Sequence, residues 1–295
     1  MTTWQSFLLK WVLKIITAFP EHFWYYLVVP PLAKILWFSK AKRNIATNVA
    51  LCYPDWSEQE RQELVKANIK HTLYTVFEFC YVLMRPAERS LKQIVRIEGE
   101  TYVNEALAAG KALLFLSPHL GNWEYLGLQV GKDYSTTSLF KPGRIDALNI
   151  LLHQARERSG GKLVPTNKKG VLQVLRALKK RQASGILPDQ IPDKNSGAVF
   201  APFFKEPVAT MTLINSLLRK TDTVAIACYA KRLKPGKFCI VYQPAEPAVD
   251  DEDVLKAATA LNKTVEALIN QSPEQYQWIY KRFREGPEGK RRIYR

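Results

Sequence analysis

The run ALLFLSPHLGNWEYLGLQV, residues 112–130, decides the fold. Its first five positions are apolar without alternation, the pattern of a strand covered on both faces. Pro118 stops that strand, Gly121 permits a tight turn, and Asn122 is a good N-cap for the helix that continues through YLGLQV. Strand, turn and helix in this order make an α/β unit, and in open α/β sheets sites gather at the carboxyl ends of strands. The turn holds His119, with Glu124 five positions later. On one continuous helix residues five apart differ by about 140° of rotation and do not meet. With His119 still in the turn and Glu124 in the first helical turn, they can. The glutamate then accepts from one imidazole nitrogen, fixing the tautomer, and the other nitrogen faces the cleft as a base. The same spacing also fits a buried histidine satisfied by a carboxylate at a helix start.

Working outward, the chain alternates. Short strands are expected at Ile94–Ile97, Ser135–Phe140, Lys162–Val164, Ser184–Leu187, Thr223–Lys231 and Lys237–Tyr242. Helices are expected at Thr101–Ala109, Ile145–Arg158, Lys169–Arg181, Val208–Leu218 and Asp253–Asn270. A capping box at Ser57 and Glu60 starts an earlier helix that Pro86 ends. The expected fold is α/β: a mixed, largely parallel sheet sandwiched by helices. A second polar group, Asp189 and Gln190, leaves a strand end in SGILPDQ, so two such ends carry candidate site residues. Ser117 precedes proline and is a poor nucleophile. A base without an enzyme nucleophile suits direct transfer, in which it deprotonates a substrate hydroxyl that attacks an activated acyl group. The developing oxyanion needs donors, either backbone N–H groups around Gly121–Trp123 or a nearby arginine.

Composition narrows the partners. With 43 Lys and Arg against 27 Asp and Glu, the formal net charge is +16, which points to an anionic partner. The motifs of nucleic-acid binders are missing. Cys52, Cys80, Cys228 and Cys239 are scattered, as free thiols of a reduced compartment would be, and no metal-ligand spacing is present. Residues 4–38 are rich in Trp, Phe, Tyr and Leu but broken by Lys10, Lys14, Pro20, Glu21 and Lys34. On a helix from Trp4 to Ala18, Gln5, Ser6, Lys10, Lys14 and Thr17 share one face, the pattern of a helix lying in a membrane interface. Two core helices of a soluble protein, or a tilted span, are the other arrangements. The expected organisation is an N-terminal hydrophobic, membrane-associating helical segment over 1–44 and an α/β domain over 45–295. The tail, residues 281–295, has seven Lys or Arg against two Glu, suited either to headgroup contact or to a solvated terminus. Trp278, Tyr276 and Phe283 read as packing.

SPHLGNWE resembles the catalytic block of the lysophospholipid-acyltransferase-like superfamily, His, four residues, then an acid (the HX4E motif). It is closest to the bacterial late acyltransferases of lipid A biosynthesis, the lauroyl and myristoyl transferases. Six further blocks follow that family in order: RNIATNVALCYPDWSEQER (43–61), FKPGRIDALN (140–149), ARERSGGK (155–162), SGILPDQ (184–190), VFAPFFKEPVATMT (199–212) and QYQWIYKRF (275–283). Lys141 stands where arginine is usual, Ala155 where glycine is usual, and Lys205 where glycine is common. The resemblance implies a glycerolipid-acyltransferase-like fold. It also implies an enzyme moving a fatty acyl chain from acyl carrier protein, a co-substrate in place of any cofactor, to a hydroxyl of a lipid A precursor. The implied location is the cytoplasmic face of the cell inner membrane, whose anionic surface is a further partner. Another glycolipid or a lysophospholipid is the alternative acceptor. His119 and Glu124 would be the catalytic pair. Arg156 or Arg158, Asp189, Gln190, Lys141 and Asn122 would contact substrate.

Overall fold

The computed structural model describes residues 3–143, 145–193 and 196–294, with the side chains of Thr3, Gln5 and Ser6 outside that description. The first part is helical: α1 (Thr3–Ala18), α2 (Glu21–Phe23), a π-helical turn over Trp24–Val28, α3 (Val29–Leu36), α4 (Lys40–Cys52) and α5 (Glu58–Met84). The capping box is formed as expected: Ser57 Oγ accepts from the Glu60 N–H and Glu60 accepts from the Ser57 N–H. Arg85 turns extended before Pro86 and ends α5, because the proline ring disfavours helical backbone in the residue before it.

After α6 (Ala87–Leu91), strands and helices alternate: β1 (Ile94–Glu98), α7 (Glu100–Ala108), β2 (Ala112–Leu116), α8 (Trp123–Tyr134), β3 (Thr137–Phe140), α9 (Asp146–Glu157), β4 (Lys162–Pro165), α10 (Lys168–Lys179) and β5 (Ala183–Ile186). The chain closes with β6 (Ala198–Phe203), β7 (Glu206–Met211), α11 (Leu213–Leu218), β8 (Thr223–Lys234), β9 (Lys237–Pro244) and α12 (Val254–Gln271). The central sheet has the order β1-β9-β8-β2-β5, parallel except for the β8–β9 hairpin. β3 and β4 pair as a separate parallel ribbon. All five residues of β2 are buried. Leu113 and Phe115 pack with Tyr125 and Leu126 on one side; Ala112, Leu114 and Leu116 pack with Val174 and Leu178 on the other. That two-residue period is why the strand reads as an unbroken apolar run.

Two expectations change. Val208–Leu218 is not one helix: β7 runs to Met211 and helix begins at Leu213. The hairpin partner β6 takes the segment, with Phe204 at a left-handed φ of 51° making the turn and Phe203 pairing with Glu206; β-branched Val208 and Thr210 suit the ladder. The tail does not fray as a solvated terminus would. Arg282 is buried and its Nη1 donates to the Ala209 carbonyl at 2.7 Å, Arg291 pairs with Glu206 at 2.7 Å, and the Phe283 N–H donates to Tyr294. Trp278, Tyr276 and Phe283 are buried.

Among the described residues, no helix is long and apolar enough to cross a membrane, so α1 and α3 do not form the tilted span. α1 lies against α5 and α9: Leu13 is buried with Cys80, Leu83 and Ala155. Trp24 stacks on Phe77 with centroids 4.6 Å apart. The opposite face leaves Trp4, Phe7, Leu8, Trp11, Val12 and Ile15 exposed.

Candidate active site

The site forms where β2 ends. Gly121 has φ +62°, and a Cβ there would meet the Ala230 carbonyl oxygen at 2.0 Å, so only glycine lets the turn pass this close to β8. The Asn122 N–H donates to that same oxygen at 2.9 Å, and the Gly121 N–H donates to Gln275 at 3.1 Å. Asn122 Oδ1 then caps α8, accepting from the N–H groups of Glu124 and Tyr125. A cap of this kind is worth roughly 1 kcal/mol. The C-terminal segment closes over the turn, with Gln277 N–H donating to the His119 carbonyl at 2.9 Å.

His119 is held by Asp189, at the end of β5. One carboxylate oxygen lies 2.8 Å from Nδ1 and the other accepts the His119 backbone N–H at 2.9 Å. Asp189 is 4% exposed. Burial by itself would push its carboxyl up; the charge on the His119 ring and the bonds from its ring and backbone N–H groups outweigh burial and hold it below the usual range. A carboxylate only accepts, so the Nδ1 proton points to Asp189; in the neutral ring Nε2 then carries the lone pair. Gln190 Nε2 lies 3.1 Å from that nitrogen and also donates to Gln277 Oε1 at 3.3 Å. The ring packs edge-on to Trp123 at 4.9 Å.

Glu124 is placed differently from the expectation. Its oxygens accept two bonds from Arg156, at 2.9 and 2.7 Å, and the carboxylate against the imidazole is Asp189. The geometric reason is that α8 begins at Trp123 and turns the Glu124 side chain toward α9, while the strand end of β5 delivers Asp189 directly to Nδ1. Arg156 makes this bidentate pair and also lies over the Phe140 ring at 5.6 Å. Arg158 instead donates to the carbonyls of Val82 and Leu83. Lys141 is exposed and bonds both oxygens of Asp193, at 2.6 and 2.7 Å, tying the loop after β3 to the loop after Asp189. Among the described residues no group of three or more His, Cys, Asp or Glu is arranged to hold a metal ion. The four cysteines are buried and free.

Below the turn lies a polar network that the sequence reading did not identify. Glu78 on α5, 1% exposed, accepts from Arg232 through Nε and Nη2, from Tyr25 Oη and, at 2.8 Å, from Asn122 Nδ2. Arg232 also donates to His71 Nδ1 at 3.0 Å and to Thr75 Oγ1 at 2.8 Å. The Thr75 hydroxyl in turn donates to the His71 carbonyl at 3.0 Å and lies 3.5 Å from the Gly121 carbonyl. A carboxylate inside VFEFCYVLM was the available signal, since a charge in an apolar helical stretch requires a buried partner.

An imidazole with one nitrogen on a buried carboxylate and the other turned to polar side chains at a strand end is an arrangement that base-assisted transferases and hydrolases use. The comparisons give the class. The model of the bacterial lipid A biosynthesis acyltransferase family matches residues 1–285, and the chain belongs to that family. It is 26% identical over 255 residues to a lipid A biosynthesis acyltransferase of Haemophilus influenzae, covering 85% of this chain and 78% of that protein. It is 27% identical to the lipid A biosynthesis lauroyltransferase of Escherichia coli over 255 residues, 85% of this chain and 82% of that protein. It is likewise 27% identical to the palmitoleoyltransferase of the same organism over 261 residues, 87% and 83% of the two chains. The protein is thus an acyltransferase of lipid A biosynthesis.

Proposed function

We propose that the protein moves a fatty acyl chain from its thioester on acyl carrier protein to a hydroxyl of a lipid A precursor, with His119 as the general base. The observation that carries this reading is the division of labour on one ring: Nδ1 bound to buried Asp189, Nε2 turned to polar side chains. Asp189 stabilises the imidazolium formed when Nε2 takes the hydroxyl proton. Glu124 acts through Arg156, fixing a guanidinium beside the cleft where an anionic acceptor group is received. The enzyme works on the anionic cytoplasmic face of the inner membrane. The exposed aromatic and aliphatic residues of α1 enter the interface, with exposed Lys10 and Lys14 at headgroup level.

The test is mass spectrometry of lipid A from cells with and without the gene. The expected result is loss of one or more acyloxyacyl chains on deletion, restored by the wild-type gene and not by His119→Ala. Unchanged lipid A refutes the acceptor.

A further inference from the structure

The oxyanion of an acyl transfer needs a hydrogen-bond donor, and several donors around His119 are already engaged. The N–H groups of Gly121 and Asn122 go to Gln275 and Ala230, and those of Glu124 and Tyr125 go to Asn122 Oδ1. Arg156 gives its Nε proton and one Nη2 proton to Glu124, which orients that guanidinium along the carboxylate, and Arg158 gives Nη2 to two carbonyls of α5. Among the described residues, the side-chain donor that touches the reactive nitrogen is Gln190.

The orientation of that amide follows from the network. Nδ1–H donates to Asp189, so in the neutral ring Nε2 is an acceptor and Gln190 must present N–H to it; the second N–H goes to Gln277 Oε1. A substrate hydroxyl needs the same place, within about 2.6–3.2 Å of Nε2. Hydroxyl and amide therefore exclude one another, and the displaced amide stays tethered beside Asp189 with an N–H to give.

We propose that Gln190 is a catalytic residue: its side-chain amide occupies Nε2 until the acceptor hydroxyl arrives, then donates to the oxyanion of the tetrahedral intermediate. This rests on the acyl-transfer reading above. The hydroxyl oxygen bonds to the thioester carbonyl carbon as its proton passes to Nε2. The carbonyl electron pair moves to oxygen and is held by the Gln190 N–H. Collapse re-forms the C=O bond and breaks the C–S bond, and the proton on Nε2 leaves with the sulfur as thiol. In the resting enzyme the amide keeps water from the base.

The experiment uses the full-length protein with lauroyl thioester of acyl carrier protein, with either a lipid A precursor or water alone as acceptor, and follows thiol release. Gln190→Leu and the isosteric Gln190→Glu are both expected to lower kcat about 10²-fold, since neither side chain donates, with KM changed less than about threefold. The 15N resonance of His119 Nε2, which senses the bond on its lone pair, is expected to move in both variants while the melting temperature stays close to wild type. A kcat within about threefold of wild type in either variant, or a rise in Gln190→Leu, overturns the donor role. An unmoved Nε2 resonance overturns the resting contact. Wild-type enzyme that releases thiol to water but not to the precursor refutes the acceptor alone, and the Gln190 comparison is then read on the water reaction. Wild-type enzyme that releases thiol to neither refutes acyl transfer and the Gln190 role with it.

Discussion

Two imidazoles border the turn at residues 119–122, and each meets a charged group through Nδ1. His119 donates its Nδ1–H to the carboxylate of Asp189, while His71 Nδ1 accepts an N–H from the guanidinium of Arg232. An anionic neighbour supports the imidazolium and leaves Nε2 as a base. A cationic neighbour forbids the imidazolium: burial first, then the charges of Arg232 and Lys70, push His71 down to about 3. In the proposed reaction the same side chain is thus a reagent in one place and a neutral brace in the other, and burial together with the sign of the adjacent charge separates them.

The sharpest way to break this comparison is to exchange activity losses. His119→Ala is expected to lower acyl transfer on the order of 10³-fold, whereas His71→Asn changes kcat less than about tenfold and instead lowers the denaturant midpoint. Equal activity losses in steady-state assays would show that the two rings do not differ in kind. Next in size is the cation that silences His71. Arg232→Met leaves Glu78 buried and uncompensated, at an expected cost of about 3–5 kcal/mol by urea unfolding, and much of that loss returns in the double variant Glu78→Leu/Arg232→Met.

The pH dependence sharpens the contrast. His71 has a folded-state pKa depressed to about 3, against about 6.5 in the unfolded chain. Above about pH 6.5 both states hold it neutral and its contribution is full. As pH falls from about 6.5 toward about 3 the unfolded state binds a proton that the folded state refuses, and stability drops by up to about 1.4 kcal/mol per pH unit. His71→Asn is expected to flatten that part of the stability profile; a curve parallel to wild type would contradict the assignment. The smallest effect belongs to the exposed pair Lys141–Asp193: Lys141→Ala is expected to change stability by less than about 1 kcal/mol.

The strand–turn–helix at 112–134 was legible because each local signal agreed: an unbroken apolar run, then Pro118, Gly121 and the Asn122 cap. Capping likewise fixed the start of α5 at Ser57. The segment Val208–Leu218 was not legible, because its strand half depends on a partner, β6, whose own sequence carries a proline and weak alternation. In the site, His119, Asp189 and Gln190 were found as residues at strand ends, but the partner of the imidazole was not. Spacing along the chain favoured Glu124, five residues away, over Asp189, seventy residues away. Only the parallel pairing of β2 with β5 brings the two strand ends side by side, and register between distant strands is not written in either strand alone. The Glu78–Arg232 pair was missed for the same reason.

The π-helical turn at Trp24–Val28 points Tyr25 inward, where its hydroxyl meets Glu78 within the network that also grips Asn122. The leading segment is therefore not a detachable handle for gripping lipid. A shortened form begun after residue 38, the obvious choice for obtaining a well-behaved sample, would leave a hole under the reactive loop, and its lack of turnover would misreport what the enzyme can do.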